Sequence, residues 1–123
     1  MIENKKILIV DDDPDILLTF KIGLESNGFD VDSYNNPLLA LKSFRSNFYD
    51  ILLIDIRMPK MTGFELYKKI KKIDNKAKVC FITAFEVYYR SLLEEFPNTS
   101  QICFIQKPIS VDNLVKRIKE QLD

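Results

Sequence analysis

Four uninterrupted apolar runs, Ile7-Leu8-Ile9-Val10, Ile51-Leu52-Leu53-Ile54, Val79-Cys80-Phe81-Ile82 and Ile102-Cys103-Phe104-Ile105, constrain this chain more than any other feature. Each has strand length and lacks the polar alternation of a strand with one wet face, so each predicts a strand covered on both sides. Amphipathic segments lie between them. Asp13-Pro14 and Asn36-Pro37 each place a side-chain acceptor before a residue with no amide to satisfy, which marks a helix start. The first helix presents Ile16, Leu17, Phe20 and Leu24 on one face and stops at Asn27-Gly28; the second presents Leu38, Leu41, Phe44 and Phe48. After Gly63 a third turns Phe64, Leu66, Tyr67 and Ile70 inward and Lys68, Lys69, Lys71 and Lys72 outward. A fourth is predicted over 85–96, and Ser110 caps a last one carrying Val111, Leu114, Val115, Ile118 and Leu122. Residues 29–34 alternate apolar with polar, the pattern of a half-exposed edge strand.

Strand and helix patterns thus alternate five times. The fold class is α/β: a five-stranded parallel sheet with helices on both faces, since parallel neighbours need crossovers and crossovers are right-handed. One alternating strand among four solidly apolar ones suits the order 2-1-3-4-5, with the second strand at an edge. At 123 residues, without linker or repeat, 1–123 reads as one domain. Lysine plus arginine (18) equal aspartate plus glutamate (18), so no overall field draws nucleic acid or an anionic membrane. The lysines from Lys68 to Lys78 read as a solvated face. The N-terminal stretch is neither a signal peptide nor a membrane span, and a cytoplasmic protein is the default. The chain contains no histidine, which rules out Ser-His-Asp and Cys-His catalysis and leaves zinc short of ligands. Cys80 and Cys103, inside apolar runs, read as small buried hydrophobes with free thiols.

Ligands of such sheets bind beyond the carboxyl ends of the strands. There the sequence places Asp11, Asp12 and Asp13 after the first strand, Asp55 after the third, Thr83 after the fourth and Lys107 after the fifth. Taken singly, each is an ordinary loop residue; Asp55 by itself merely starts a turn. Together they bring carboxylates, a hydroxyl and an ammonium to one crevice. Carboxylates within ~5 Å repel by about 1–3 kcal/mol per pair, and a hard divalent cation resolves the conflict. Mg2+ fits best, because it takes one or two carboxylates and keeps waters for a phosphate. A calcium loop over Asp11, Asp13 and Asp15 fails, with Ile16 where glycine belongs and Ile22 where glutamate belongs. Beside such a cation Asp55 is a candidate nucleophile toward phosphorus, with Thr83 and Lys107 stabilising the transferring group. Ala84 keeps the approach open.

These residues resemble the receiver domains of two-component response regulators, including the single-domain chemotaxis type. The resemblance runs through Ile7-Leu8-Ile9-Val10-Asp11-Asp12, Asp55-Ile56-Arg57-Met58-Pro59-Lys60-Met61-Thr62-Gly63, Thr83-Ala84 and Lys107-Pro108. It implies the flavodoxin-like receiver fold and makes Asp55 the phosphoacceptor, forming a 4-aspartylphosphate with Mg2+ as cofactor. It also implies that Asp12 binds the metal directly, Asp11 largely through water, and the Arg57 backbone carbonyl as a further ligand. Thr83 and Lys107 then contact the phosphoryl group, the Lys107-Pro108 bond is cis, and Phe104 is the aromatic that rotates inward with Thr83. The implied partners are a histidine kinase or histidine phosphotransfer protein and an unknown downstream protein, with neither nucleic acid nor membrane bound by this domain. The implied role is regulatory, limited to the domain's own phosphorylation and dephosphorylation.

Residues 94–101 depart from the family, which commonly has a glycine-alanine pair before the last strand. Arg57 and Phe85, each two residues beyond a site residue, are expected to tune the lifetime of the phosphoryl group. Tyr88 and Tyr89 are open between core and docking patch. Three other readings compete. A haloacid-dehalogenase-like phosphatase needs a second acid where this chain has Arg57, and a flavodoxin-like binding module wants amides and hydroxyls where this chain has aspartates. The third is a phosphorylation-independent, receiver-like scaffold.

Overall fold

The structure, a computed structural model, describes residues 5–84, 94 and 103–123. Its strands are β1 (Lys6–Val10), β2 (Asp30–Tyr34), β3 (Ile51–Asp55), β4 (Val79–Thr83) and β5 (Cys103–Gln106); its helices are α1 (Pro14–Ser26), α2 (Pro37–Ser43), α3 (Gly63–Ile73) and α4 (Val111–Leu122). The strands pair in parallel in the order β2-β1-β3-β4-β5. This is the α/β sheet the alternation predicts, with the half-polar strand at one edge.

Period-two alternation sends successive strand side chains to opposite faces. Ile7, Ile9, Ile51, Leu53, Cys80, Ile82, Cys103 and Ile105 meet Leu17, Phe20 and Leu24 of α1 and Leu114, Val115 and Ile118 of α4. Leu8, Val10, Leu52, Ile54, Val79 and Phe81 meet Ala40 of α2 and Phe64, Leu66, Tyr67 and Ile70 of α3. Two apolar faces explain why β1, β3 and β4 read as unbroken apolar runs. At the other edge, β5 leaves Gln106 exposed.

The caps follow the sequence. Asp13 accepts from the amides of Asp15 and Ile16, Asn36 from Leu38, and Ser110 from Asn113. Thr62 and Glu65 form a reciprocal capping box at the head of α3. Gly28, at φ 92°, supplies the left-handed turn after α1.

Two expectations change. The second helix does not reach Phe48: it ends at Ser43, with Phe44 as its cap and Leu38 exposed; Leu41 and Phe44 pack partly buried against the core as expected, and Pro37 and Ala40 are the buried residues. The turn that follows is held by a distant contact. Asn47 takes a left-handed φ of 60°, and its amide donates to Oδ2 of Asp74, 27 residues away. Phe48 packs edge-on against Tyr49 instead of extending the helical face. Secondly, Cys80 and Cys103 are buried but not free: they face each other across β4 and β5 and are joined as a disulfide. The predicted helix over 85–96, with Phe85, Tyr88 and Tyr89, lies outside the described residues.

Candidate functional site

Four strands deliver the site. Asp11 follows β1, Asp55 ends β3, Thr83 ends β4, and Lys107 follows β5. The register holds them level, since Asp55 is opposite Ile82 and Thr83 is opposite Gln106, and the Lys107 amide donates to the Thr83 carbonyl at 2.8 Å. The chain can turn away from Asp55 because position 63 is glycine. A Cβ there would run into the Asp55 carbonyl oxygen and the Ile54 side chain.

These residues line one cleft of about 290 Å³, together with Asp12, Asp13, Ile16, Arg57 and Ala84. Asp11 and Asp55 are buried carboxylates and Thr83 is fully buried, whereas Asp12 is exposed. Asp11 accepts from the Asp13 amide through one oxygen and from Lys107 Nζ, at 2.8 Å, through the other. The same ammonium lies 3.7 Å from Asp55 Oδ2. Burial, then the facing Asp11 carboxylate, pushes the Asp55 carboxyl up to about 7; a hydrogen bond with Asp12 and that residue's charge add to the rise, and Lys107 opposes it. Asp13, by contrast, spends its side chain capping α1.

Asp11, Asp12 and Asp55 each offer a carboxylate oxygen, all within 4.8 Å of one another. Hard oxygen donors in a site with more negative than positive charge suit a divalent cation such as Mg2+. The residues present therefore fit the cofactor that the sequence implies. The Lys107-Pro108 peptide is cis, as the resemblance implies.

One part of the surface was not read from the sequence. A groove of about 570 Å³ beside the cleft is lined by Asp15, Ile16, Thr19, Phe20, Ala84, Lys107, Pro108 and Ile109. Its available signal was Ile109, an apolar residue between a cis-proline and a cap. Phe104 of β5 packs part-buried against the α3 side of the core. Phe85 lies outside the described residues.

A parallel sheet in this order, with acid residues, a threonine and a lysine at its carboxyl end, defines a receiver-type α/β domain. The response regulator receiver domain profile matches residues 7–119, and the chain belongs to that family. The response regulator receiver protein CpdR of Brucella abortus is 30% identical over 118 residues, spanning 96% of this chain and 97% of that protein. Sporulation initiation phosphotransferase F of Bacillus subtilis is 29% identical, over 97% of this chain and 94% of its own. The crystal structure of the response regulator TrrA of Thermotoga maritima, in complex with Mg2+–BeF, matches with a TM-score of 0.79 at 31% identity, covering 96% of this chain and 99% of that one. Several transcriptional regulators match over only about half of their length. The chain is thus a regulatory receiver domain of two-component signalling, and no described helix is long and apolar enough to cross a membrane.

Proposed function

We propose that residues 1–123 act as one cytoplasmic receiver in which Asp55 accepts a phosphoryl group from a phosphohistidine. A carboxylate oxygen of Asp55 attacks phosphorus as the P–N bond to the donor imidazole breaks; the product is an aspartyl phosphate, and the imidazole leaves with a proton. The observation that carries this reading is the Lys107 ammonium lying between Asp11 and Asp55, at 2.8 Å and 3.7 Å, in a cleft with three carboxylates. Lys107 and the Thr83 hydroxyl stabilise charge on the transferring oxygens. Asp12, Asp55 and the Arg57 carbonyl would hold Mg2+ directly and Asp11 largely through water, and the ion would supply positive charge to offset the carboxylates and the phosphoryl oxygens.

This chain has no histidine, so the phosphohistidine comes from a histidine kinase or phosphotransfer protein. The groove beside Lys107, with Ile16, Phe20, Pro108 and Ile109 in its lining, offers apolar surface against which such a donor docks. Movement of Thr83 and Phe104 then reports the phosphoryl state to a downstream protein, while Arg57 and Phe85 limit access of the hydrolytic water. The domain catalyses only its own phosphorylation and dephosphorylation.

Incubation with Mg2+ and acetyl phosphate, followed by intact-protein mass spectrometry, tests the reading. A single Mg2+-dependent phosphoryl adduct, absent from Asp55→Asn, is expected. An adduct of equal extent in Asp55→Asn contradicts it.

A further inference from the structure

The bond between β4 and β5 lies close to the phosphoryl site. Cys80 and Cys103 are opposite each other in the ladder, 4.4 Å apart at Cα and 23 residues apart in sequence. Three rungs further along is Thr83, opposite Gln106, and the next backbone bond joins Lys107 to Thr83. The residue after Cys103 is Phe104. The disulfide therefore fixes the spacing of the two strands that carry Thr83, Phe104 and Lys107.

Cys103 differs from Cys80 in its surroundings. It sits on β5, the sheet edge, while β4 is flanked on both sides by strands. Arg117 of α4 places Nη2 3.5 Å from Cys103 Sγ and 3.1 Å from the Phe104 carbonyl, to which it donates. A neutral disulfide gains little from an adjacent guanidinium, whereas a thiolate gains much, because a nearby cation favours the ionised, exchange-competent form. Both sulfurs are buried in the closed fold, Cys103 at 3% and Cys80 at 0% exposure, so an outside thiol reaches Cys103 when the edge strand β5 opens locally, and the neighbouring cation then favours its thiolate.

We propose that Cys80 and Cys103 form a reversible thiol–disulfide couple, exchanging with external thiols through Cys103, whose state governs the freedom of the β4–β5 pair at the phosphoryl site. In reduction, the thiolate of a dithiol attacks Cys103 Sγ, the Cys80–Cys103 bond breaks, and Cys80 leaves as a thiolate that takes a proton. The second thiol of the donor then displaces Cys103 and closes the donor's own disulfide, so two electrons and two protons pass to the protein. Oxidation runs in reverse, with the Cys103 thiolate beside Arg117 attacking a disulfide oxidant. The oxidised chain holds Thr83 and Phe104 against movement, and reduction releases them. This last consequence rests on Asp55 being the phosphoacceptor.

The test equilibrates the native chain in buffers of graded oxidised-to-reduced dithiothreitol, quenches in acid, alkylates under denaturing conditions and weighs the product. The couple predicts passage from no alkyl groups to two, with the same midpoint from either direction. Arg117→Gln slows the reaction of the reduced native protein with a small disulfide by about threefold, since lost thiolate is partly offset by higher nucleophilicity, and Arg117→Lys restores it. The oxidised form takes phosphate from acetyl phosphate about fivefold more slowly than the reduced form, the lower end of coupling between sites. That difference vanishes in Cys80→Ala/Cys103→Ala, and Cys103→Ser serves should the double variant not fold. Thiols that stay free in every buffer, a bond that no dithiol opens in the native protein, or equal phosphorylation of the two forms overturns the proposal. If neither form is phosphorylated, the Asp55 reading fails, and the alkylation midpoint and Arg117 rates alone decide the couple.

Discussion

The two ends of the sheet use aspartate in opposite ways. At the amino end, Asp74 accepts the amides of Asn47 and Lys76 and Asp50 accepts the amide of Lys6, while Asp32, midway along the edge strand β2, accepts the hydroxyl of Tyr49 from the loop before β3. Burial and the Asp32 hydrogen bond raise that hydroxyl's pKa, which keeps it a donor. These carboxylates fasten loops to strands. At the carboxyl end, Asp11 and Asp55 are buried facing each other and share one ammonium, with the Asp13 amide on Asp11 and a hydrogen bond from Asp12 on Asp55 adding no further positive charge. Charge left uncompensated in a folded protein opposes stability, so it persists where a ligand is to meet it. The comparison separates aspartates that hold the fold from aspartates that, in the proposed function, meet a cation and a phosphoryl group.

The largest expected effect is qualitative. Asp55→Asn abolishes the Mg2+-dependent phosphoryl adduct while leaving the metal-free melting temperature unchanged or higher, because it removes a buried repulsion; mass spectrometry and a thermal melt read the two halves. Lys107→Ala slows phosphorylation by acetyl phosphate about a hundredfold, the scale for removing one charge-stabilising donor, and stopped-time mass measurements follow it. At the other end the pattern inverts. Asp74→Ala costs about 2–4 kcal/mol in urea unfolding, because two backbone amides lose their acceptor, yet phosphorylation of the folded protein is unchanged. Tyr49→Phe is milder, about 1 kcal/mol in the same assay, and equally silent in phosphorylation. A slowed phosphorylation rate in either amino-end variant would break the comparison.

Much of this division was legible in the sequence, and the reason is local. Buried strands announce themselves as apolar runs, caps as Asp13-Pro14, Asn36-Pro37 and Ser110, and the site as the residues that follow each run. What escaped depends on contacts between distant segments. The early end of α2 could not be read from Phe44 and Phe48, whose spacing continues a helical face, because the stop is imposed by Asp74 from across the fold. The pairing of Cys80 with Cys103 follows from β4–β5 register, which neither run encodes alone. The groove beside Lys107 joins α1 to the segment after β5, about 90 residues along the chain.

The most direct test of the central claim is the thermal stability of the oxidised chain at pH 5.5 and pH 8, with and without Mg2+. Because there is no histidine, few side chains other than Asp55 titrate in that window. Asp55 has its pKa raised from 3.8 to about 7 by folding, so the folded state holds a proton that the unfolded state has lost. Stability from this group is full below the unfolded pKa, declines as pH rises toward 7, and levels off above it. The metal-free protein is therefore less stable at pH 8 than at pH 5.5, by about 2 kcal/mol. Mg2+ binds the ionised carboxylates and restores stability at pH 8 more than at pH 5.5. Equal stability at the two pH values, together with no response to Mg2+, would contradict the account.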